Sequence, residues 1–461
     1  MLMQMKALSR RGRRLAHAAL VPVLLLCLVC GACVSSPAQN VLTYRLRARM
    51  GTLPASSTHA GTGALSGHVL VKRAAGNGDV TILDDLSGVT IVLAEADGTP
   101  HSTQSRADGS FVLRGLPPGR YVPVALGPGF DEAIALDAFG VPRLAYVQAG
   151  ITTDVGEIHL SRHIPAALPA AEPAALAAAV ALTRSVEARL EAGFPPAASA
   201  RKVAYSFVRD TVQVDSLRVF LPVTSTSESG PLPLIFMVYP SPVDGWESVS
   251  VAFASQGVAV VAISPMAARA LDIDGHAQDA RVALHLALGG ALDVLPQESV
   301  DPARVVVLGG SFSSAIVHRL LRDERAVVAG WVTVGGIANA LRGTADFYAG
   351  RLEIPPNYAD AIPALGLPHL RPLPFVRYSP VYTAAELPPT LIIHTAADRV
   401  IPLAQALQLE QALKLANLPV DAYYYADTSH YLQIGDDLTD AGAQMFYRIL
   451  DFVRAPPAPL K

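Results

Sequence analysis

The stretch that decides the fold is Gly309-Gly310-Ser311-Phe312-Ser313. The apolar run Val305–Leu308 precedes it, and a segment with helical character, Ser314–Leu321, follows it. This order predicts a strand, a sharp turn and a helix, with Ser311 at the apex of the turn. Such a turn holds a serine in a strained backbone conformation and lifts its hydroxyl clear of a sheet. The stretch therefore predicts a nucleophile elbow.

One position departs from the usual G-x-S-x-G pattern of such elbows. Gly309 occupies the first glycine position, but Ser313 stands where the second glycine is usual. The side chain of Ser313 is small, and Ser314 and Ala315 keep the following turn small as well. We expect the elbow to remain active, and the alternative is a protein that has lost turnover.

Length, charge and composition bound the class of protein. The chain has 461 residues, which is enough for two or three domains. Its net charge of -3 shows no excess of basic residues, so nucleic acid is not expected as a partner. No motif in the sequence predicts a cofactor or a metal.

The N-terminus is typical of an export signal. Basic residues precede a short apolar core, Val21–Val29, which is too short for an ordinary membrane-spanning helix. Gly31 and Ala32 then lead to Cys33, which resembles a bacterial lipobox, although Cys30 stands where leucine is usual. We expect residues 1–33 to be a lipoprotein-type signal, with cleavage before Cys33 and lipidation of that residue.

The distribution of cysteines agrees with this expectation. The chain has three of them, Cys27, Cys30 and Cys33, so cleavage would leave only the residue to be acylated and no internal disulfide. The expected location is the bacterial cell envelope, lipid-anchored on the periplasmic or extracellular face. Plain secretion and an uncleaved anchor are the alternatives.

The sequence after the signal segment predicts a tether followed by a small β domain. Residues 34–62 are polar and mixed, which predicts a flexible tether. Residues 63–162 alternate short β runs with turns such as Asp97-Gly98, which predicts an antiparallel sandwich. Within them, the run Ala107–Tyr121 resembles the carboxypeptidase regulatory-like (transthyretin-like) family. The resemblance implies an accessory β-sandwich without chemistry of its own, which could contact carbohydrate or protein.

A connector follows. Residues 163–201 are rich in alanine and proline, and Ala174–Leu190 predicts a helix closed by Gly193–Pro196.

From residue 202 to about 456, apolar strands alternate with amphipathic helices, which predicts the α/β class with a mostly parallel sheet covered on both faces. An opening antiparallel pair is expected at Ala204–Val208 and Val212–Leu221. Residues 336–387 form a long insertion between two sheet strands, which is typical of a lid or a pocket wall, with a passive surface insertion as the alternative.

A serine needs a base to take its proton, and the base needs an orienting carboxylate. Downstream of Ser311, strand Leu391–His394 leads to Asp398, and strand Val420–Tyr425 leads to His430. Both candidates follow the carboxyl ends of strands, which is the edge where open α/β sheets bind ligands. Asp398 could instead cap the next helix, in which case Asp346 or Asp360 in the insertion would supply the acid.

These motifs resemble the α/β-hydrolases, closest to the prolyl oligopeptidase and dienelactone-hydrolase-like branch. The resemblance rests on Asp301–Val305 ahead of the elbow, on Asp398–Pro402, and on Ser429-His430. It implies Ser311 as nucleophile, His430 as general base and acid, and Asp398 as the residue that orients the histidine.

The oxyanion hole is expected near two loops. The backbone N–H of Phe312 is the natural first donor, because it follows the nucleophile. The loop Tyr239-Pro240-Ser241-Pro242 should supply the second, and its prolines leave the Ser241 N–H, the Tyr239 backbone or the Tyr239 hydroxyl.

The predicted function is an exported serine hydrolase that cleaves a carboxylic ester through an acyl-enzyme. A short-peptide-cleaving serine peptidase is the first alternative, although about 100 residues of sandwich are too few for a substrate-filtering propeller. The second alternative is a catalytically inactive surface binding lipoprotein. The expected partners are a small ester or short peptide as substrate and a membrane through the N-terminal lipid.

Overall fold

A computed structural model describes residues 37–50, 61–75, 78–81, 85–223, 230–426, 430, 433–434 and 437–458. The predicted signal segment 1–33, with its proposed lipidation site Cys33, lies outside the described residues, as does Ser429 of the Ser429-His430 motif. Among the described helices, none combines the length and hydropathy that crossing a bilayer requires.

The described chain begins with a helix, α1 (Pro37–Arg49). A flexible tether was expected over 34–62, and for this part of it the expectation is wrong. Val41 and Tyr44 are buried against Phe347 and Tyr348 of the 336–387 insertion, so packing on another element orders the helix.

A β-sandwich follows, as predicted. Its described strands are β1 (Gly63–Ala75), β2 (Gly78–Thr81), β3 (Thr90–Ala94), β4 (Pro100–Gln104), β5 (Ser110–Leu116), β6 (Gly119–Tyr121), β7 (Val124–Leu126), β8 (Ala133–Ile134), β9 (Ala145–Val147) and β10 (Thr152–Leu160). Strand β1 pairs with β2, β5 and β10, while β3 lies between β4 and β7. Alternating inward side chains such as Leu65, Ile91, Phe111 and Ile158 fill the space between the two sheets.

The connector differs from its prediction. Only α2 (Pro173–Ala179) is helical, and Thr183–Ala192 forms strand β11. This strand pairs antiparallel with the next one at the edge of the main sheet, and its charged side chains are largely exposed there. Ladder hydrogen bonds to the sheet outweigh the helix propensity of the local sequence.

The second domain is built on a nine-stranded sheet with the order β11-β12-β13-β15-β14-β16-β17-β18-β19. The remaining strands of this sheet are β12 (Ala198–Arg209), β13 (Val212–Pro222), β14 (Leu232–Val238), β15 (Ala259–Ile263), β16 (Val300–Gly310), β17 (Gly330–Val334), β18 (Thr390–Thr395) and β19 (Val420–Tyr425). From β15 to β19 the neighbours run parallel, and β12 and β13 form the antiparallel opening pair, as predicted. Two short strands, β20 (Gln433–Ile434) and β21 (Asp437–Leu438), form a separate hairpin.

Helices cover both faces of this sheet, which confirms the predicted α/β-hydrolase fold. The described α-helices of the domain are α3 (Glu247–Ser255), α4 (Ile273–Leu288), α5 (Ser313–Glu324), α6 (Ala340–Tyr348), α7 (Pro356–Ala359), α8 (Pro372–Arg377), α9 (Leu403–Leu415) and α10 (Asp440–Arg454). One apolar core lies under α4, α5 and α9, and a second lies under α3 and α10. The parallel strands end at one edge, and the 336–387 insertion, with α6, α7 and α8, follows β17 at that edge.

The sandwich contacts the α/β domain through a buried carboxylate. Glu132 has a fully buried side chain, and three guanidinium groups surround it. Arg319 and Arg377 each lie 3.2 Å from it, and Arg322 also contacts it. A buried charge is tolerated only when it is paired, so this cluster fixes how the two domains meet.

An apolar contact adjoins this cluster. Val92 and Val124 of the sandwich pack with Leu341 of α6 and with Phe375 of α8. The sandwich is therefore part of the support of the insertion rather than a separate appendage.

Candidate active site

The turn between β16 and α5 has the geometry of an elbow. Ser311 adopts a φ of 50°, in the left-handed region that side chains rarely occupy. Its N–H donates to the carbonyl oxygens of Val334 and Gly335, each at 3.1 Å, which holds the strained turn against the next strand. A Cβ at Gly310 would lie 2.2 Å from the Val334 oxygen, so only glycine fits there.

The unusual serine in the elbow has a structural role. Ser313 is completely buried, and its hydroxyl donates to the Gly310 carbonyl at 2.8 Å and accepts from the Gly310 N–H at 3.0 Å. Ser313 begins helix α5, where a side chain meets no positive-φ penalty, so glycine is not required. Gly309 is the position that needs to be small, because a Cβ there would lie 2.6 Å from Val317.

Two residues from the ends of neighbouring strands meet beside the elbow. His430 Nδ1 lies 2.6 Å from Asp398 Oδ2, and the Asp398 side chain is fully buried. Asp398 follows β18, and His430 follows β19. The pairing at adjacent strand ends is the arrangement that the sequence predicted.

The second oxygen of Asp398 holds its own loop. Oδ1 accepts hydrogen bonds from the N–H groups of Val400 and Ile401, at 2.8 and 2.9 Å. The residue therefore closes a turn ahead of α9 and contacts His430 at the same time, so the capping and acid interpretations are compatible. The alternative acid Asp346 is engaged instead by Arg342 and Arg351 within the insertion.

A glycine that sequence reasoning missed brings the histidine to the elbow. A Cβ at Gly335 would lie 3.0 Å from His430 Cε1, and the Gly335 carbonyl accepts the Ser311 N–H. Both contacts converge on one residue, so a side chain at position 335 would crowd the imidazole beside the elbow, and the φ of 55° at this position disfavours a side chain as well. The available signal in the sequence was the pair Gly335-Gly336 directly after the apolar run of β17.

A second histidine lies behind the acid. His394 is buried, its Nε2 lies 2.8 Å from the Ile401 carbonyl oxygen, and the same nitrogen lies 3.5 Å from Asp398 Oδ2. Burial lowers the pKa of His394, which keeps this imidazole neutral. Its contacts with Ile401 and Asp398 support the Asp398 loop.

The structure agrees with some of the predicted hydrogen-bond donors of the oxyanion hole and excludes others. The Tyr239 hydroxyl is buried in the apolar core under α3 and lies 2.5 Å from the Ser250 hydroxyl. The Tyr239 N–H donates to the Ile263 carbonyl. Neither group of Tyr239 can reach a substrate at Ser311, so the proposed role of Tyr239 in the oxyanion hole is wrong. The Tyr239 side chain points to the sheet face that α3 and α10 cover. The order of residues in the sequence does not specify this direction.

Ser241 and Phe312 both line the space in front of the nucleophile. The Trp246 indole donates to the Ser241 hydroxyl at 2.8 Å, which leaves the Ser241 N–H as the remaining candidate donor of that loop. Tyr358 of α7 packs on Phe312 with tilted rings, at 4.9 Å between ring centroids, and its hydroxyl donates to the Pro240 carbonyl. One aromatic side chain of the insertion thus contacts both loops of the predicted oxyanion hole.

A cavity of about 470 Å³ opens at the elbow. Ser311 and His430 line it together with the insertion, so the insertion is a pocket wall rather than a passive surface loop. The side chains that line it are mostly aliphatic or aromatic: Leu271, Ile273, Ile337, Ile354, Ile362, Leu365, Phe375, Val400 and Ile401 among others. Among the described lining residues, the ionisable groups are the imidazole of His430 and the hydroxyls of Tyr358 and Tyr378.

Two family models match this chain. Residues 78–158 match the carboxypeptidase regulatory-like domain, and residues 247–454 match the prolyl oligopeptidase family. No curated protein sequence matches the chain.

Solved structures with a related arrangement include peptidases and esterases. An acylaminoacyl peptidase from Pyrococcus horikoshii is 13% identical, with 85% of this chain and 66% of that chain covered and a TM-score of 0.46. A thermophilic esterase from Thermogutta terrifontis is 17% identical, with 54% and 91% covered and a TM-score of 0.40. Esterase B from Lactobacillus rhamnosis is 14% identical, with 59% and 85% covered and a TM-score of 0.42. The longer match, over residues 247–454, supports a serine hydrolase of the prolyl oligopeptidase or esterase kind.

Proposed function

We propose that this protein hydrolyses carboxylic esters with an apolar acyl group, using Ser311, His430 and Asp398. The observation that carries the proposal is the apolar lining of the cavity at the nucleophile. An apolar cavity of about 470 Å³ stabilises a hydrocarbon chain by removing it from water.

The absence of carboxylates from the described lining favours an ester over a peptide with a free N-terminus. An enzyme that binds an ammonium group in a cavity of low polarity needs an opposite charge, because an unpaired buried charge is costly. Behind the lining, the Tyr378 hydroxyl donates to Asp274, and this carboxylate is already paired with Arg319 and Arg377.

The geometry supports the following sequence of steps. His430 accepts the proton of the Ser311 hydroxyl as the oxygen attacks the ester carbonyl carbon, and Asp398 stabilises the imidazolium through Nδ1–H. The N–H groups of Phe312 and Ser241 would stabilise the oxyanion. The C–O bond to the alkoxy group then breaks, and His430 returns the proton to the departing alcohol. Water then attacks the carbonyl carbon of the acyl-enzyme while His430 accepts its proton. The bond to the Ser311 oxygen breaks, His430 returns the proton to that oxygen, and the acid is released.

We further propose that the enzyme is held at the bacterial cell envelope by lipidation of Cys33. This rests on the lipobox-like sequence that ends at Cys33 and on the lack of cysteine after it. Palmitate labelling in cells should disappear in Cys33→Ala, and persistent label would contradict the lipid anchor.

Hydrolysis of p-nitrophenyl esters from acetate to decanoate, beside aminoacyl anilides, tests the ester proposal. We expect turnover of the esters with a maximum at intermediate chain length, together with fluorophosphonate labelling that is absent in Ser311→Ala. Faster cleavage of the anilides than of every ester would favour the peptidase alternative. Folded wild-type protein that is neither labelled nor active would favour the inactive binding protein.

A further inference from the structure

Helix α1 has two apolar faces, and only one of them is covered. Val41 and Tyr44 face inward and are buried. Leu42, Leu46 and Met50 recur every four residues, so they share the opposite face. Their exposed fractions are 50%, 41% and 66%, which is unusual for three large apolar side chains in one row.

The charge of this segment has one sign. Residues 37–50 contain three arginines, Arg45, Arg47 and Arg49, and no aspartate or glutamate. Arg45 lies over the rings of Phe347 and Tyr348, at 4.8 and 5.6 Å from their centroids, and so contributes to the inward contact. Arg47 is exposed next to the apolar row. Apolar side chains beside arginine can contact an anionic lipid surface, because buried apolar area and attraction to anionic lipids both contribute to such binding.

The chain before the helix restricts where the helix can be. Cys33 precedes Pro37 by four residues, which span at most about 14 Å when fully extended. An acyl chain on Cys33, or an uncleaved apolar segment Val21–Val29, would therefore hold α1 within about one helix diameter of the bilayer surface.

The inward face of α1 rests on the wall of the active-site cavity. Ile354 and Ile362 pack into the cluster that contains Val41 and Tyr44, and both also line the cavity. A single layer of side chains therefore separates α1 from the proposed acyl pocket.

We propose that the row Leu42, Leu46 and Met50, with Arg47, binds an anionic phospholipid surface and holds the cavity wall against it. The enzyme then acts on apolar esters that are dissolved in that membrane. The inference rests on the proposed esterase function and envelope location for its biological meaning, but the contact with lipid can be measured without activity.

The contact is measured with the full chain reconstituted into vesicles of phosphatidylglycerol and brominated phosphatidylcholine. Leu46→Trp adds an indole to the proposed contact, and Leu415→Trp adds one at a site on α9 that is 77% exposed. Bromine quenches only indoles that enter the interface. We expect the added fluorescence of Leu46→Trp to fall about twofold or more and that of Leu415→Trp to remain. Equal quenching of the two would overturn the proposal.

The consequence for activity is measured with L42E/L46E/M50E, in which the apolar row is replaced. The matched control is L407E/L415E, which changes exposed leucines on α9. Against a long-chain 4-methylumbelliferyl ester dissolved in the vesicles, we expect the first variant to lose on the order of tenfold in rate and the control to lose none. Both should hydrolyse soluble p-nitrophenyl butyrate like wild type.

The outcomes separate the two proposals. If wild type hydrolyses neither ester but Leu46→Trp is quenched, the esterase function fails and the membrane contact stands. If L42E/L46E/M50E changes only a monomer–dimer equilibrium in sedimentation and Leu46→Trp is not quenched, the row binds a second copy of the chain and the membrane proposal is wrong.

Discussion

His430 Nδ1 lies 2.6 Å from Asp398 Oδ2, although the two residues belong to loops that follow different strands. The carboxylate is fully buried, and its other oxygen is held by two backbone N–H groups. An acceptor fixed in this way selects the histidine tautomer with the proton on Nδ1 and leaves Nε2 for proton transfer.

Asp398→Asn tests this relationship. The amide oxygen can still accept from the N–H groups of Val400 and Ile401, so the fold should persist. The amide cannot select the same tautomer, and we expect kcat for an ester to fall by roughly 10³–10⁴. Asp346→Asn, which changes the alternative acid in the insertion, should leave kcat unchanged. A larger loss in Asp346→Asn than in Asp398→Asn would reassign the acid.

Ser241→Pro tests the second oxyanion donor, because proline removes the N–H. We expect kcat to fall by roughly 10²–10³ with the melting temperature little changed. Ser241→Ala keeps the N–H and removes only the hydroxyl that accepts from Trp246, so it should retain most of the activity. If the two variants were equally active, the donor would have to be sought elsewhere.

Ser313→Gly tests whether the missing glycine weakens the elbow. The substitution restores the usual pattern but removes the two hydrogen bonds between the Ser313 hydroxyl and Gly310. We expect the free energy of unfolding to fall by about 1–3 kcal/mol, with no gain in kcat. A clear rise in kcat, with no loss in the free energy of unfolding measured in urea, would show that Ser313 limits the reactivity of Ser311.

Glu132→Ala tests the contact between the domains. Removal of the carboxylate leaves Arg319 and Arg377 paired only with the partly exposed Asp274 and removes the closest ion pair of Arg322, so we expect a loss of about 3–5 kcal/mol in the free energy of unfolding. The control Glu157→Ala removes a carboxylate that is 59% exposed and should cost less than about 1 kcal/mol. Urea denaturation measures both, and similar costs would contradict a role for Glu132 in stability.

Two buried histidines predict loss of stability in acid. Burial lowers the pKa of His318 well below its ordinary value and also lowers that of His394. A histidine with a lower pKa in the folded than in the unfolded state stabilises the fold above about pH 6.5, the pKa of the unfolded side chain, and loses this contribution as pH falls. Each group should contribute a slope of up to about 1.4 kcal/mol per pH unit below that value.

His318→Gln measures this slope, because it removes the titrating group and can keep a hydrogen bond to Thr383. We expect a shallower fall in the free energy of unfolding between pH 6.5 and 5 than in wild type. The exposed residue His68 provides the control, and His68→Gln should follow the wild-type curve. An unchanged slope in His318→Gln would contradict the prediction.

Some errors of sequence-based prediction have clear physical causes. Helix α1 was expected to be part of a tether because residues 34–62 are polar and mixed in composition. Strand β11 was expected to be helical because alanine-rich sequence favours a helix, whereas pairing with β12 decides its conformation. The partner of α1 lies far away in the sequence, whereas β11 pairs with the next strand of the chain.

The sequence by itself determined the strand, turn and helix around Ser311, the order of Ser311, Asp398 and His430, and the α/β fold. These features depend on local apolar runs, small residues and chain order, which are read directly from neighbouring positions. Only the tertiary structure decided that Tyr239 points away from the nucleophile, that Gly335 admits the imidazole, and that Tyr358 contacts both oxyanion loops. It also decided that α1 packs on the cavity wall. Side-chain direction and contacts between distant segments depend on how the layers pack, and local sequence does not contain that information.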